Sequence, residues 1–408
     1  LPDRSAFQDI YELPAGHYLR YGSKGLIEQR RWWDVPFVSP DDTRKESATE
    51  LADELRSLLE DATRLRLRAD VPVGAYLSGG LDSSAIAGLT RQLTTQKRQS
   101  FSVSFADPRF DESNFQQQMA AALDTELSGV SIKGSEIAED FPEVVHLAEK
   151  PLLRTAPAPL HRLSKLVRQT GFKVVLTGEG ADELFGGYDI FKETKVRRFW
   201  AKQPDSRLRP LLFKRLYPYL TRDTNKAGTF LSHFFSQGLT ETSDPLYSHQ
   251  IRFNNTSRSL RFLDGGVLEE ATLQGDSKQR LLNYLPENFA HFSNLSKAQY
   301  LEIHTFLSGY LLSSQGDRML MGNSVEGRFP FLDYRVAEFA AKLPDRLRMQ
   351  GLQEKFLLRK AVAPLLPKNI GRREKRPYRS PILQAFIGSD APAYVQELLE
   401  PNHLAKVG

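Results

Sequence analysis

The chain has 408 residues, 40% hydrophobic and 26% charged, a composition that excludes a disordered tail protein, a collagen-like repeat and a coiled coil. Its net charge of +5, without long runs of one sign, favours an enzyme that handles phosphates over a nucleic-acid binder. A cysteine count of 0 excludes a thiolate nucleophile, and apolar runs far shorter than the ~18 residues of a membrane span predict no membrane partner.

The first part of the chain has the pattern of short strands and turns. Residues 10–13 and 18–21 favour strands, and the turn signal at 22–25 predicts a hairpin. A unit of this size, 1–36, is too small to fold alone, so we expect it to belong to a β-rich domain that begins earlier. Since the sequence starts at Leu1 and stops within a helix-like pattern, we expect a fragment of a longer protein.

The next part alternates between helical and strand periods. Leucines on one stripe predict a helix over 47–68, and a helix is also predicted to begin near Asp82 and over 160–169. The segments that favour buried strands are 71–77, 100–105, 127–132 and 173–177. Strands that alternate with helices predict an α/β fold with a doubly wound parallel sheet. Residues 192–408 favour mainly helices.

A glycine-rich turn, 78–84, separates the first of these strands from its helix. Its two glycines let backbone amides approach a phosphate, and the helix N-terminus adds further donors. Asp82 lies beside this anion site, which indicates a bridging Mg²⁺. The turn matches neither a Walker loop nor a dinucleotide fingerprint. The alternative is a strand-to-helix turn with a capping aspartate.

The segment 174–188 repeats this arrangement of strand, glycine turn and acids. Glu179, Asp182 and Glu183 fall within five residues, where they would repel one another unless a cation or a proton intervenes. Asp182 is the better candidate for a second Mg²⁺ ligand, Glu179 can face a substrate, and Glu183 is expected to be structural. Helix capping alone is the alternative.

Taken in order, these segments resemble the synthetase half of glutamine-dependent asparagine synthetases. The matching segments span nearly all of residues 45–385 and are 71–84, 101–105, 174–188, 317–319, 325–333, 354–360 and 373–378. Residues 1–36 resemble the last strands of that family's glutaminase domain. The family's glutaminase nucleophile is an N-terminal cysteine, which is not in this sequence.

The resemblance implies a domain of the ATP-pyrophosphatase (PP-loop) type over 37–408, with a helical C-terminal region. It implies that 1–36 is the β-rich remnant of an Ntn-type glutaminase domain. The implied activity is that of a cytoplasmic ligase that uses ATP and Mg²⁺. It converts a carboxylate, expected to be aspartate, into an acyl-adenylate with release of pyrophosphate. Ammonia from glutamine then gives asparagine and AMP. A homodimer is also expected.

The resemblance also assigns roles to residues. Asp82 and Asp182 hold Mg²⁺, and Glu179 takes a proton from ammonia or stabilises the intermediate. Lys375 neutralises phosphate charge, although a solvated basic run is the alternative for Lys375. Glu326 and Arg328 are candidate substrate or scaffold residues, with a buried ion pair as the equal alternative. The residues expected to bind ATP and pyrophosphate are Leu77, Ser78, Gly79, Gly80, Asp82, Ser83, Val103, Thr177 and Gly178.

Two departures from the family pattern keep other functions open. Ser104 stands where the family often has glycine, and Glu149-Lys150-Pro151 replaces an Asp-Glu-Pro stretch. The alternative is therefore a specialised amidotransferase or a cyclase acting on another carboxylate. Because β-lactam-forming relatives carry tyrosine at the position of Glu179, this residue favours amide formation. A tRNA-thiolating enzyme usually needs cysteines, and the intact acidic motifs argue against an inactive nucleotide sensor.

Overall fold

In the computed structural model, residues 3–94, 99–218, 227–273, 275–373, 375, 378, 380–388 and 390–407 are described. The chain begins with an antiparallel hairpin of β1 (His17–Gly22) and β2 (Gly25–Arg31), which confirms the predicted turn at 22–25. The prediction of a strand over 10–13 is wrong: this exposed segment makes a single isolated bridge, from Tyr11 to Arg4. That the hairpin derives from a glutaminase domain stays a prediction.

A five-stranded parallel sheet forms the centre of the fold. Its strands are β3 (Val73–Tyr76), β4 (Gln99–Phe105), β5 (Glu126–Ile132), β6 (Val174–Leu176) and β7 (Glu326–Arg328). The spatial order is β5-β4-β3-β6-β7, so the chain moves outward to β5 and then returns past β3 to form the other half. The order in which the chain adds strands therefore changes sides between the neighbours β3 and β6. Open α/β sheets bind ligands at such a switch point.

Helices from the N-terminal half of the chain cover the sheet. They are α1 (Ala48–Arg66), α2 (Leu81–Leu93), α3 (Ser113–Leu123), α4 (Gly134–Ala148), α5 (Pro157–Gln169), α6 (Ala181–Phe185) and α7 (Asp189–Ala201). Helix α1 shows the predicted stripe, because Leu51, Leu55 and Leu59 are fully buried in the main core. Ser47 accepts from the Glu50 N–H in a capping box that fixes its start.

The C-terminal region is largely helical, as predicted. Its helices are α8 (Leu212–Leu216), α9 (Ala227–Phe235), α10 (Gln250–Ser257), α11 (Gly265–Leu273), α12 (Ser277–Tyr284), α13 (Asn294–Glu302), α14 (Arg318–Met321), α15 (Tyr334–Ala341), α16 (Asp345–Arg348), α17 (Phe356–Val362), α18 (Lys368–Gly371), α19 (Leu383–Ile387), α20 (Ala393–Leu398) and α21 (Pro401–Val407). A π-helix, Ile303–Asp317, joins α13 to α14. A two-stranded hairpin of β8 (Met349–Gln350) and β9 (Gln353–Glu354) precedes α17.

One feature of this region differs from the sequence expectation. Strand β7 was not predicted, since three residues with the sequence Glu-Gly-Arg show no apolar alternation; it forms because its backbone pairs with the edge of β6. None of the helices in the described ranges has the length and apolar character needed to cross a bilayer.

Candidate active site

The glycine-rich turn predicted to bind phosphate lies directly after β3. The Ser78 N–H donates to Ser83 Oγ at 3.1 Å, and the two serine hydroxyls are 2.9 Å apart, so the loop folds back on itself. Gly79 has φ of 72°, and a Cβ there would collide with the backbone of Phe115 at 2.8 Å. Gly80 then caps α2. The turn therefore presents its amides at a helix start, as a phosphate site requires.

The acidic turn after β6 packs against this loop. A Cβ on Gly178 would lie 2.9 Å from the Ser83 nitrogen and from the Asp82 Cβ, so only glycine allows the two turns to approach so closely. Because β3 and β6 are neighbours, the turns bring Asp82 and Asp182 to one cleft at the carboxyl edge of the sheet. The sequence placed these two acids in separate motifs, and the structure joins them.

Two lysines from the C-terminal region reach both carboxylates. Lys355 Nζ lies 2.6 Å from Asp82 Oδ2 and 2.6 Å from Asp182 Oδ1. Lys375 Nζ lies 2.6 Å from Asp182 Oδ2 and 3.9 Å from Asp82 Oδ2. Lys375 is therefore in the cleft and not in a solvated basic run. We refer to Asp82, Asp182, Lys355 and Lys375 as the acid–lysine cluster.

Sequence reasoning gave Lys355 no role. It starts α17 directly after β9 and is 1% exposed. A signal was present, because Glu354 and Lys355 are two charges beside the apolar run 356–358, and charges in such a position are buried only when they are paired.

The lysines set the charge of Asp182. Burial alone would raise its pKa, but Lys355 and Lys375 outweigh this effect and lower the pKa to about 2. The pKa of Lys375 is raised above its usual value, since Asp182 and Asp82 outweigh its own burial. The two carboxylates and the two ammonium groups of the cluster therefore neutralise one another's charge. The same groups could neutralise a bound cation and a bound anion.

The same cleft shifts the pKa of Glu179 in the opposite direction to that of Asp182. Burial raises its pKa to about 7; Lys375 opposes this shift, while Asp182 and Asp82 add to it. Within the described part of the chain, its carboxylate makes no hydrogen bond to a side-chain donor. A carboxyl with a pKa near neutrality can exchange a proton under ordinary conditions.

Glu183 is fully buried behind the cleft, in agreement with a structural role. Tyr188 donates to its Oε1 at 2.6 Å, while Oε2 has no hydrogen-bond partner. Burial and the nearby Asp182 raise its pKa to about 8, which favours the neutral, protonated carboxyl at neutral pH. These states relieve the predicted repulsion among the three acids. Asp182 is paired with lysines, Glu179 has a pKa near neutrality, and Glu183 is protonated.

Other contacts hold the C-terminal segment against the phosphate loop. The buried Glu354 accepts from the Lys375 N–H at 3.1 Å and lies 2.9 Å from Lys192 Nζ. Arg373 donates to the Gly79 carbonyl at 3.0 Å and pairs with Glu112. Arg373 is thus a second residue at the site that sequence reasoning did not assign. Glu374, Arg376 and Pro377 of the same motif lie outside the described residues.

The residues expected against the nucleotide base line the same sheet edge. Leu77 is buried and its N–H donates to the Phe101 carbonyl at 2.8 Å. Thr177 Oγ1 accepts from the Glu179 N–H at 3.4 Å. The carbonyl of Val103 already accepts from Gln116 at 2.7 Å, so this atom is engaged within the fold. Their contact with a nucleotide stays a prediction.

Glu326 and Arg328 lie on β7. Arg328 Nε lies 2.6 Å from Glu326 Oε1, and its Nη1 donates to the carbonyls of Arg66 and Arg68 at 2.7 and 2.8 Å. These contacts tie the edge strand to the end of α1. Glu326 and Arg328 therefore form the ion pair of the alternative, but the prediction that the pair is buried is wrong, because the Glu326 side chain is 58% exposed. The substrate role stays a prediction.

The two aspartates also fit the Mg²⁺ that the sequence implied. They converge on one cation position, occupied by the Lys355 ammonium, and Mg²⁺ is commonly held by one or two carboxylates together with phosphate oxygens. Over the residues the structure describes, no three His, Cys, Asp or Glu side chains form a metal site by themselves. The phosphates of a nucleotide would have to complete the coordination.

The fold and this site define a class: an α/β protein with a glycine-rich turn and an acid–lysine cluster at the switch point of a parallel sheet. The family follows from comparison with known proteins. The family model described as asparagine synthase matches residues 54–408, so the chain belongs to the asparagine synthase family.

Individual relatives are distant. The asparagine synthetase 1 of Bacillus subtilis is 32% identical over 352 residues, which cover 86% of this chain and 53% of that protein. The amidase chyE of Penicillium rubens is 29% identical over 100% of this chain and 64% of its own length. The chain therefore spans between half and two thirds of the length of these relatives.

Two solved structures are also similar in part. NMN synthetase from Francisella tularensis covers 35% of this chain and 60% of its own, with 17% identity and a TM-score of 0.25. A U34-tRNA thiolase from Methanococcus maripaludis covers 52% of this chain and 81% of its own, with 15% identity and a TM-score of 0.26.

Proposed function

We propose that the protein is an ATP-dependent ligase that forms an amide. It activates a carboxylate as an acyl-adenylate, releases pyrophosphate, and then transfers the acyl group to ammonia with release of AMP. The observation that carries the proposal is the convergence of Asp82, Asp182, Lys355 and Lys375 beside Glu179, at the turn that follows β3. Membership of the asparagine synthase family supports a ligase.

In this proposal the first half-reaction takes place at the phosphate loop. The amides and hydroxyls of Ser78–Ser83 hold the β- and γ-phosphates, and Lys375 faces the charge that develops as pyrophosphate leaves. Asp82 and Asp182 would hold a Mg²⁺, which, when bound, neutralises phosphate charge. The cleft residues keep the α-phosphorus exposed to the attacking carboxylate.

Glu179 serves the second half-reaction. Its pKa of about 7 lets the carboxylate accept a proton from the attacking ammonia near neutral pH. Tyr188 and the protonated Glu183 fix the wall behind it. We propose that the ammonia comes from glutamine through a glutaminase domain to which residues 1–36 belong, and that the protein acts in the cytoplasm. A homodimer stays a prediction.

Aspartate is the first candidate acceptor, and another carboxylate is the second. The second candidate is favoured by an aromatic surface next to Tyr188. The ring of Phe306 lies 6.1 Å from that of Tyr188 and 5.4 Å from that of Tyr310. The guanidinium of Arg154 lies 5.3 Å from the centre of the Phe306 ring. This surface offers a larger acceptor both apolar area and a positive charge.

An acceptor screen tests the proposal. Pyrophosphate release is measured with ATP, Mg²⁺ and ammonia, with aspartate and a panel of other carboxylic acids in turn. Aspartate-dependent release supports asparagine formation, and release with another acid supports the second candidate. Arg154→Ala serves as the matched variant, because it removes one of the two guanidinium groups over Phe306, leaves that of Arg252 at 5.6 Å, and does not touch the acid–lysine cluster. Release of phosphate in place of pyrophosphate would contradict the proposal.

A further inference from the structure

The ammonium of Lys355 lies between the two carboxylates of the cleft. Its Nζ is 2.7 and 2.6 Å from the two oxygens of Asp82 and 2.6 Å from Asp182 Oδ1. The ammonium donates hydrogen bonds to both oxygens of Asp82 and forms an ion pair with Asp182 Oδ1. A divalent cation bound by the same two carboxylates would take this position, so Lys355 and the cation compete for the same oxygens.

The fold holds Lys355 in place. Its backbone has a φ of 55°, a conformation that persists in a residue other than glycine only where the surroundings impose it. Its N–H donates to the Phe185 carbonyl at 3.2 Å. The stem is packed against Gly187, where an added Cβ would lie 2.3 Å from Lys355 Cε. Lys355 is therefore positioned by the chain and not drawn in from the surface.

Lys375 is more exposed than Lys355 and has fewer close carboxylate contacts. Its side chain is 24% exposed, and its Nζ has one close carboxylate contact, with Asp182, because Asp82 is 3.9 Å away. Removing the charge of Lys375 would leave the two aspartates bridged. Removing the charge of Lys355 would leave two carboxylates facing each other with one cation at their side, an arrangement that favours a new cation.

We propose that Lys355 is the resident counter-ion of the metal site, and that a divalent cation binds there only together with a nucleoside triphosphate. This rests on the proposed function, because it assumes that Asp82 and Asp182 hold the cation. A free cation would have to displace a buried ammonium and leave it without a partner. The triphosphate removes this obstacle, since its oxygens ligate the cation and accept from the displaced ammonium.

Mn²⁺ titration followed by electron paramagnetic resonance tests the proposal without turnover. The wild-type protein is titrated alone and with a methylene analogue of ATP that cannot be cleaved between its α- and β-phosphates. We expect Mn²⁺ binding only with the analogue. Lys355→Met keeps the stem and removes the charge, and it should bind Mn²⁺ without nucleotide at least about tenfold more tightly than the wild type.

Lys375→Met is the matched control, and we expect its nucleotide-free affinity for Mn²⁺ to stay near that of the wild type. Tight nucleotide-free binding by the wild type would overturn the proposal and leave the metal site standing. Equal gains in both variants would also overturn it. No binding by the wild type even with the analogue would remove the metal site itself, and with it both the proposed metal chemistry and this inference. If Lys355→Met does not fold, the wild-type comparison alone decides.

Discussion

Two regions of the molecule bury carboxylates and shift their pKa values in opposite directions. One is the cleft that holds Glu179 beside the acid–lysine cluster. The other joins the N-terminal hairpin to the helical region and consists of Arg31, Asp34, Tyr300 and His304, which we call the junction cluster. Asp34 Oδ2 accepts from Tyr300 at 2.7 Å and from Arg31 at 2.9 Å, and Oδ1 lies 3.1 Å from His304 Nε2.

The difference lies in how many donors each carboxylate receives. Burial alone would raise the pKa of Asp34, but His304, Tyr300 and Arg31 outweigh it, and the pKa is held below its usual value. Glu179 receives no such set of donors and its pKa is raised to about 7. A carboxylate saturated with donors stabilises the fold, whereas an unsaturated one beside charged partners is available for proton transfer.

The largest expected effect is the loss of pyrophosphate release on substitution of the aspartates of the acid–lysine cluster. Asp82→Asn and Asp182→Asn should each lower ATP-dependent pyrophosphate release by at least about 10³-fold, because each removes charge that positions the triphosphate and cation. The assay uses saturating Mg²⁺, with circular dichroism to confirm folding. The exposed Asp205→Asn is the control and should keep full activity. Near-normal turnover of either cleft variant would contradict a two-carboxylate metal site.

Glu179→Gln should separate the two half-reactions. It keeps the shape of the side chain but cannot accept a proton, so amide formation should fall by about 10²–10⁴ while adenylate still forms. A single-turnover assay that follows pyrophosphate and amide together measures both steps. If the two fall equally, Glu179 belongs to adenylation or to the fold, and its assignment as a base is wrong.

The raised pKa of Glu179 predicts a pH dependence of amide formation. The base must be unprotonated, so the rate should rise with pH up to about 7 and then level off. Single-turnover rates are compared at a constant concentration of unprotonated ammonia, which removes the titration of ammonium itself. The same rise in Glu179→Gln would show that another group is responsible.

At the junction cluster, the expected effect is on stability. Asp34→Ala leaves the buried Tyr300 hydroxyl and His304 without their acceptor, which should cost about 1–3 kcal/mol of unfolding free energy. Because the pKa of Asp34 is lowered on folding, this contribution should be present above the usual pKa of an aspartate and be lost in acid. Urea denaturation measures it, with the exposed Asp41→Ala as control. A loss of pyrophosphate release without a loss of stability would assign this cluster to the chemistry.

The smallest effect is expected for Glu326→Gln on β7. Its carboxylate is 58% exposed and pairs with Arg328, so stability should change by no more than about 0.5 kcal/mol and the rate should not change. Steady-state kinetics with varied acceptor provide the check. A raised KM for the acceptor would restore Glu326 as a substrate residue.

The sequence was informative wherever a single local pattern fixed the structure. The turns with Ser78 and Glu179 could be placed because a buried strand ends in glycine and acid at each, and parallel strands direct such turns to one edge. Their roles in binding and catalysis stay predictions.

Lys355 and β7 could not be found in this way. Lys355 meets Asp82 across a separation of 273 residues in the chain, and no local period records such a contact. Strand β7 is set by the open edge of β6 rather than by its own three residues.

The origin of β7 has a consequence for folding. About 150 residues separate β6 from β7, and their described part is mainly helical, so the central sheet is finished only after all of these residues have been synthesised. Until then β6 is an edge strand with unpaired amides and carbonyls, which other chains can pair with. Contacts this far apart in sequence also form slowly. The helical region is therefore required to complete the sheet, and we expect a chain cut within it to leave the β6 edge open to aggregation.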